Sequence, residues 1–390
     1  VTEPNEEQPV PFRSFLRYFL WLGTFGFGGP IASVGYMQRD LVEKRGWLER
    51  QEFLNGVALG QTMPGPLAAQ VAMWVGYLRA GALGALAVSV PFILPSFVAV
   101  LIVAFLYVHY SGLTALQSLF YGIAPAVMAI IAVAAYKLSR LTNGKDLRLW
   151  AISAVILAVT AITGAEVALL FVGAGLLMVL LDAPPSFLHR KSLGLLAPAG
   201  ALLKTNGFRV LTGRATRGTF VSLGLFFLKA GAFIFGSGLA IVPFLREGVV
   251  IQHHWLSANQ FLDAVAIGLI TPGPVVISAA FIGYLVGGLT GAVVATVAIF
   301  VPIYLGVVIP GGWFIRHRDN AAIKAFVKGA TAAAAGAIAG ATIVLTRQAV
   351  RDVSTAVIAA VSLVLLLRFK VKEPWIVLGA GAVGLLLRRP

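Results

Sequence analysis

Apolar runs separated by short polar gaps make up most of this chain. They recur at about 12–29, 84–107, 117–136, 149–163, 167–182, 220–245, 287–312, 323–346, 353–369 and 374–387. Several hold only 14–18 residues, near or below the ~20 that span a bilayer as a helix, so their ends should include interfacial residues. Two further stretches, 53–78 and 261–286, are apolar but broken in the middle by Pro64-Gly65-Pro66 and Pro272-Gly273-Pro274.

Those breaks belong to an internal repeat. At an offset of 208, Gly23, Phe25, Phe27 and Gly28 fall on Gly231, Phe233, Phe235 and Gly236, and Trp47-Leu48 falls on Trp255-Leu256. Seventeen of the 44 positions from Gly23 to Pro66 are identical. Beyond one deletion the offset becomes 207, and Gly76-Tyr77, Gly81, Gly84 and Pro95 meet Gly283-Tyr284, Gly288, Gly291 and Pro302. Shared apolar composition scatters matches; it does not order Trp, Gly and Pro in series. The expected units are a first repeat over 12–182, a basic linker over 183–219 and a second repeat over 220–387.

Charge then orients the chain. The 183–219 stretch holds Arg190, Lys191, Lys204, Arg209, Arg214 and Arg217 with no acidic residue, which reads as a cytoplasmic loop. Lys137, Arg140, Lys145 and Arg148 place the 137–148 loop inside as well. The helix after Pro95 reaches His109-Tyr110-Ser111-Gly112 without Lys or Arg, whereas the one after Pro302 reaches Arg316 and Arg318. Equivalent ends thus differ in basic charge, as inverted repeats require. With 220–245 taken as a helix leaving the cytoplasm, 261–286 must begin and end on one face. Its two arms of about 11–13 residues each reach roughly halfway through a ~30 Å core. The expected fold is therefore all-α: a polytopic membrane protein with two inverted-topology repeats, about ten spanning helices and two re-entrant Pro-Gly-Pro hairpins. In the rival reading Pro-Gly-Pro kinks an ordinary spanning helix, and the linker falls outside.

Composition sharpens the class. Residues are 59% hydrophobic and 12% charged, and mean hydropathy is +0.91. A soluble globule of this length cannot hide so much apolar surface. The net charge of +15 sits mostly in polar gaps, so it reads as topology and not as nucleic-acid binding. Absence of cysteine excludes thiolate metal sites and disulfides. The chain begins at Val1, which reads as a trimmed start, and its acidic, Pro-containing beginning is unlike a secretory signal.

The breaks carry the candidate chemistry. Helical backbone interrupted at lipid depth is tolerated where it is buried in protein or lines a polar cavity. Each Pro-Gly-Pro frees backbone N–H groups at the start of the next half-helix, where the dipole favours an anion. The expected substrate-binding residues are Gln61, Thr62, Pro64, Gly65, Pro66 and Gln70 in the first half. In the second they are Thr271, Pro272, Gly273, Pro274 and Ser278. Close packing is the alternative reading of each. Lys229 is the cation deepest in an apolar segment and is read as substrate-binding by default, or as a side chain snorkelling to the headgroups. Gly28, Gly29, Arg39, Gly236, Ser237 and Arg246 are candidates for an entrance or gate, a solvated loop charge being the commoner reading of the two arginines. Asp263, within an arm, is the candidate for proton coupling. Paired catalytic carboxylates are absent, and the five histidines show no metal-ligand spacing, so neither enzyme, metal nor cofactor is expected.

The segment FGFGGPIASVGYMQRDLVEKRGWLERQEFLNGVALGQTMPGPLAAQVAMWVGY (25–77) resembles the first half of the chromate ion transporter family. FGSGLAIVPFLREGV (235–249), with Trp255 and Pro272-Gly273-Pro274, resembles its second half. The FGG-P, Q-x-x-PGP and G-Y elements are specific in combination, and the resemblance covers essentially the whole chain. It implies export of chromate from the bacterial cytoplasm across the inner membrane, driven by the proton-motive force, with sulfate as the natural competitor. It also makes Gln61, Pro64, Gly65 and Pro66 motif positions. The second half departs, with Leu269-Ile270-Thr271 before its Pro-Gly-Pro. Expected partners are the oxyanion and membrane lipid, not nucleic acid, and a homodimer is an open alternative. Another anion carrier, or an uncoupled anion channel, would use the same site.

Overall fold

A computed structural model describes residues 11–26, 29–110, 114–163, 168–184, 217–234, 238, 241–317 and 320–387. Every regular element among them is helical: α1 (Phe12–Phe25), α2 (Gly29–Met37), α3 (Arg50–Thr62), α4 (Leu67–His109), α5 (Thr114–Asn143), α6 (Leu147–Thr163), α7 (Ala168–Asp182), α8 (Arg217–Ala232), α9 (Ile241–Arg246), α10 (Ala258–Ile270), α11 (Ser278–Val308), α12 (Gly311–His317), α13 (Ala321–Ala349), α14 (Val353–Leu367) and α15 (Glu373–Leu387). Widened π-helical turns extend α2 over Gln38–Lys44 and α9 over Glu247–Gln252. Four of the described helices are long and apolar enough to cross a membrane, and six shorter apolar helices accompany them.

The Pro-Gly-Pro stretches reverse the chain. Gly56 lies against the Trp74 ring and Gly60 against Gln70, so α3 and the first arm of α4 run antiparallel. The Trp74 indole N–H donates to the Glu52 carbonyl at 3.0 Å. A continuous kinked helix would hold Gly56 and Trp74, 18 residues apart, at about 27 Å. Local sequence starts both first arms: the Glu49 N–H donates to the Glu52 carboxylate (3.2 Å), and Ser257 and Gln260 exchange side-chain and backbone hydrogen bonds.

A second reversal follows at the same offset in each half. The backbone leaves helical geometry at Ala80 (φ −149°, ψ 31°) and Gly81 (58°, −147°), and again at Gly287 (−146°, 27°) and Gly288 (60°, −150°). Positive φ there favours glycine. Gly76 faces Gly84, and Gly283 faces Gly291, so closely that a Cβ would collide with a backbone carbonyl. The long elements α4 and α11 are therefore each a short returning arm followed by a long helix, 82–109 and 289–308.

The expectation of single helices over 12–29 and 220–245 is corrected. Helix α1 ends at Phe25, and the returning chain brings Trp47 to 4.9 Å from Phe15 and Arg45 over the Tyr18 ring. In the second half α8 ends at Ala232, and Trp255 returns to 5.7 Å from Phe226. These segments are reversals too, because the polypeptide breaks at glycine-rich sequence inside runs whose hydropathy never falls.

The last helices of each half pack on the long helix of the other. Helix α13 holds α6 and α7, while α5 holds α14 and α15. The alanine- and glycine-rich α13 makes this possible: Gly329 meets Ala174, Gly336 meets Ser153, and Gly340 meets Leu157. Small residues let backbones approach where lipid supplies no hydrophobic drive. The Ser153 hydroxyl, accepting from Asn143, donates to the Ala332 carbonyl at 2.8 Å. One end of α13 lies by Leu149 and Met178, near the Arg148–Asp182 ion pair. At its other end Arg351 meets Asn259 at the start of α10. Residues 185–216, most of the expected linker, lie outside the described residues. The helices that flank them end and begin at opposite ends of α13.

Candidate functional site

The two tips converge on the break after α8. The Gly65 N–H donates to the Ile234 carbonyl, in the break after α8, at 2.6 Å. A Cβ on Gly238, in the same break, would lie 3.6 Å from both Pro66 and Val275. Each tip also rests on the long helix of the opposite half. Gly65 lies against Ile303, and the Ser96 hydroxyl donates to the Pro272 carbonyl. Ser96 and Ile303 are equivalent at the 207 offset, each following the proline that punctuates its helix.

Backbone geometry fixes the tips. Gly65 has φ +145° and Gly273 φ +98°, which L side chains avoid. Met63 and Pro66 are extended, as are Thr271 and Pro274. Helix α4 then starts at Leu67, and a 3-10 turn over Val275–Ile277 leads into α11. The first N–H groups of these starts have no partner within their own helix, and their dipoles point toward the convergence.

The side chains expected to donate to an anion are otherwise engaged. The Gln70 amide nitrogen donates to the carbonyls of Met63 (3.2 Å) and Pro64 (2.9 Å), closing the first tip. Only its oxygen remains, buried without a partner, and that is an acceptor. Thr62 donates to the Ala58 carbonyl (2.7 Å) and Thr271 to the Ile267 carbonyl (3.0 Å), each one turn back on its own helix. Ser278 is buried beside Gly268, in the place Gln70 takes beside Gly60. Gln61 is exposed on α3.

Lys229 is not among the residues gathered here. It lies exposed on α8, its ammonium 5.9 Å over the Phe244 ring. Its counterpart Trp21 is likewise exposed on α1, so this helix face is exposed in both halves. Gly28, Gly236 and Ser237 lie outside the described residues, while Gly29 begins α2. Arg39 pairs with its neighbour Asp40 at 2.8 Å and stays half exposed, and Arg246 ends α9.

Asp263 stands apart from the tips. It is buried on α10 and accepts a hydrogen bond from the Tyr107 hydroxyl at 2.7 Å. Both line a cavity of about 390 Å³ together with Gln117, Asn259, Gln260 and Arg351. The equivalents of Asp263 and Tyr107 are Asn55 and Phe314, so the carboxyl–phenol pair exists in one half alone. Asp263 is among the sequence candidates, whereas Ser96, Tyr107 and Arg351 are not, because their partners are far away in the chain. The proline before Ser96 was the one available signal. Among the described residues no group of His, Asp or Glu could hold a metal ion.

The chromate transporter family profile matches residues 13–179 and again 221–385. The chain is 50% identical over 379 residues to the "Chromate transport protein" of Cupriavidus metallidurans, covering 96% of this chain and 92% of that one. It is 46% identical over 382 residues to the "Probable chromate transport protein" of Synechococcus elongatus (96% and 95%). Identity is 30% over 344 residues to the "Chromate transport protein" of Pseudomonas aeruginosa (86% and 81%). No solved structure matches.

Proposed function

The chain belongs to the chromate transporter family, and from that premise we propose that it is a secondary active transporter exporting chromate or a related tetrahedral oxyanion across the bacterial inner membrane. It is a multi-pass membrane transporter and not an enzyme. Its two repeats, 12–182 and 220–387, lie in inverted orientation. Each contributes two hairpins that enter to mid-depth and four helices that cross. The arms α3 and α10 are met side by side by their returning arms after Pro-Gly-Pro, so each pair begins and ends on one face. The end that gathers Arg45, Arg79, Lys137, Arg140, Lys145 and Arg148 is the cytoplasmic one by the positive-inside rule. With four crossings per half, Asp182 and Arg217 fall on opposite faces. The expectation of a wholly cytoplasmic 183–219 does not fit this arrangement.

The observation that carries the reading is the convergence of both Pro-Gly-Pro tips on the break after α8. Two helix starts, one entering from each face, bring their first-turn backbone N–H groups to one place. Discontinuous helices of this kind bind anionic groups at the interface between inverted repeats. Because Gln70, Thr62 and Thr271 are engaged internally, recognition falls to the backbone. Four symmetric oxygens of a tetrahedral dianion suit such a donor set, since any orientation presents acceptors. Asp263, bonded to Tyr107 at the far end of the α10 arm, is the proton-coupling group.

Competition among chromate, sulfate, molybdate and phosphate for purified protein tests the substrate. Chromate should bind at least tenfold more tightly than phosphate; equal binding of all four overturns the assignment. In proteoliposomes, an imposed pH gradient should drive chromate against its own gradient. Flux that follows only the ion's electrochemical gradient would make the protein a channel.

A further inference from the structure

A second basic site lies away from the tips, on the outer side of α1. Ser14, Arg17, Tyr18, Trp21, Arg45 and Trp47 enclose a pocket of about 270 Å³. The Arg45 guanidinium sits 4.6 Å over the Trp47 ring and 5.4 Å over Tyr18, held by aromatic faces and not by a carboxylate. Among the described residues neither Arg17 nor Arg45 forms an ion pair. The Tyr18 hydroxyl is buried, with the Asp40 carboxylate beside it. Two guanidinium groups therefore face one pocket whose lining holds no carboxylate; the nearby Asp40 is paired with Arg39 at 2.8 Å.

What surrounds the pocket decides between ligands. Below Arg17 the exposed face of α1 continues as an aromatic ladder, Tyr18 to Trp21 to Phe25, with ring centroids 6.2 Å apart at each step. Trp21 is 46% and Phe25 61% exposed, apolar surface that a free inorganic anion would leave uncovered. A charged head joined to a hydrocarbon chain covers both parts. Arginine beside tryptophan is also the composition of the bilayer interface. We infer that this pocket binds the phosphodiester headgroup of an anionic phospholipid, with one acyl chain lying along Trp21 and Phe25.

The other half supplies the control. The equivalents of Arg17, Tyr18, Trp21 and Arg45 are Leu225, Phe226, Lys229 and His253. His253 stacks on Trp255 at 4.2 Å, as Arg45 does on Trp47, but burial holds its imidazole below the usual histidine range, which disfavours the cation. The paired guanidinium groups thus belong to one repeat and one end of the bundle. The inference stands independently of the substrate.

The full chain in neutral detergent, titrated with phosphatidylglycerol, phosphatidylcholine or inorganic phosphate, tests it by thermal unfolding. Phosphatidylglycerol should raise the Tm by several degrees, while phosphatidylcholine and inorganic phosphate leave it unchanged. The Arg17→Gln/Arg45→Gln variant should fold, keep its Tm in detergent alone and bind phosphatidylglycerol about thirtyfold more weakly, from about 1 kcal/mol per basic residue. Trp21→Ala should weaken lipid binding while leaving both charges in place, which remains readable if the double variant does not fold. Equal shifts with both lipids, or an unchanged affinity in the double variant, overturn the proposal. A shift with inorganic phosphate alone would make this a soluble-anion site.

Discussion

The hairpin around Pro64–Pro66 and the one around Pro272–Pro274 have nearly the same backbone and different side chains. Their first arms are each 13 residues, both tips turn on a glycine at positive φ, and the returning arms end in kinks whose dihedrals agree within a few degrees. Around the first tip stand Gln70, Ile303 and, in the arm, Asn55. Around the second stand Ser278, Ser96 and the Asp263–Tyr107 pair. What the duplication keeps is the placement of backbone N–H groups, and what it varies is titratable and polar chemistry. On the proposed function, that separates the tasks: both halves hold the anion through backbone, and one half carries the proton.

The largest effect should come from breaking the shared part. Gly65→Leu forces a side chain into Gln70 and Ile303 at φ +145°, and Gly273→Leu forces one into Ser96 at φ +98°. Each should reduce transport at least a hundredfold while the protein still reaches the membrane. Chromate flux into vesicles, normalised to protein, measures this. If one variant transports normally, that tip does not contribute to the site and the equivalence of the hairpins is lost.

The next effect separates the halves. Asp263→Asn keeps an acceptor for the Tyr107 hydroxyl but removes the ionisable carboxyl. It should abolish the part of the flux driven by a pH gradient, a loss of tenfold or more, while chromate binding changes less than threefold. Asn55→Gln, at the equivalent arm position, should leave the pH-driven flux within twofold of the parent. Equal losses from both changes would show a packing role for the two positions and move the coupling elsewhere.

The sequence made the shared part legible and hid the varied part. Proline and glycine interrupt the apolar runs at 64–66 and 272–274, so the arms of α3 and α10 could be placed with their offset. Glycine-rich sequence marked where α1 and α8 end, but the chain's return there was not visible, because Phe and Gly keep hydropathy high through that point. In a chain surrounded by lipid, the inside and outside of a helix are equally apolar, and periodicity no longer reports which side is buried. Tyr107 and Ser96 were out of reach for another reason: they meet partners 156 and 176 residues away, a distance that only packing of the two halves establishes. Lys229 is the reverse case: depth in the sequence suggested the site, while the fold leaves it exposed over the Phe244 ring.

The smallest effect tests whether the backbone agreement is energetic as well as geometric. Gly81 and Gly288 sit at φ +58° and +60° with open space where a Cβ would go, so alanine at either meets no neighbour. The cost of Gly81→Ala is then conformational alone, about 1–3 kcal/mol for an L residue at dihedrals that are essentially confined to glycine. Gly288→Ala should cost the same, because its dihedrals and surroundings are the same. Each should lower the Tm of the purified protein by a few degrees, by equal amounts, with transport retained. At Gly76 or Gly283 an added Cβ meets carbonyl oxygen instead, and alanine there should destabilise further. Unequal losses at 81 and 288 would mean that one kink is held by the other half's packing and not by its own backbone. The two returning arms would then differ in rigidity as well as in side chains, and the division between a shared anion cradle and a one-sided proton site would extend to the motion of the hairpins themselves.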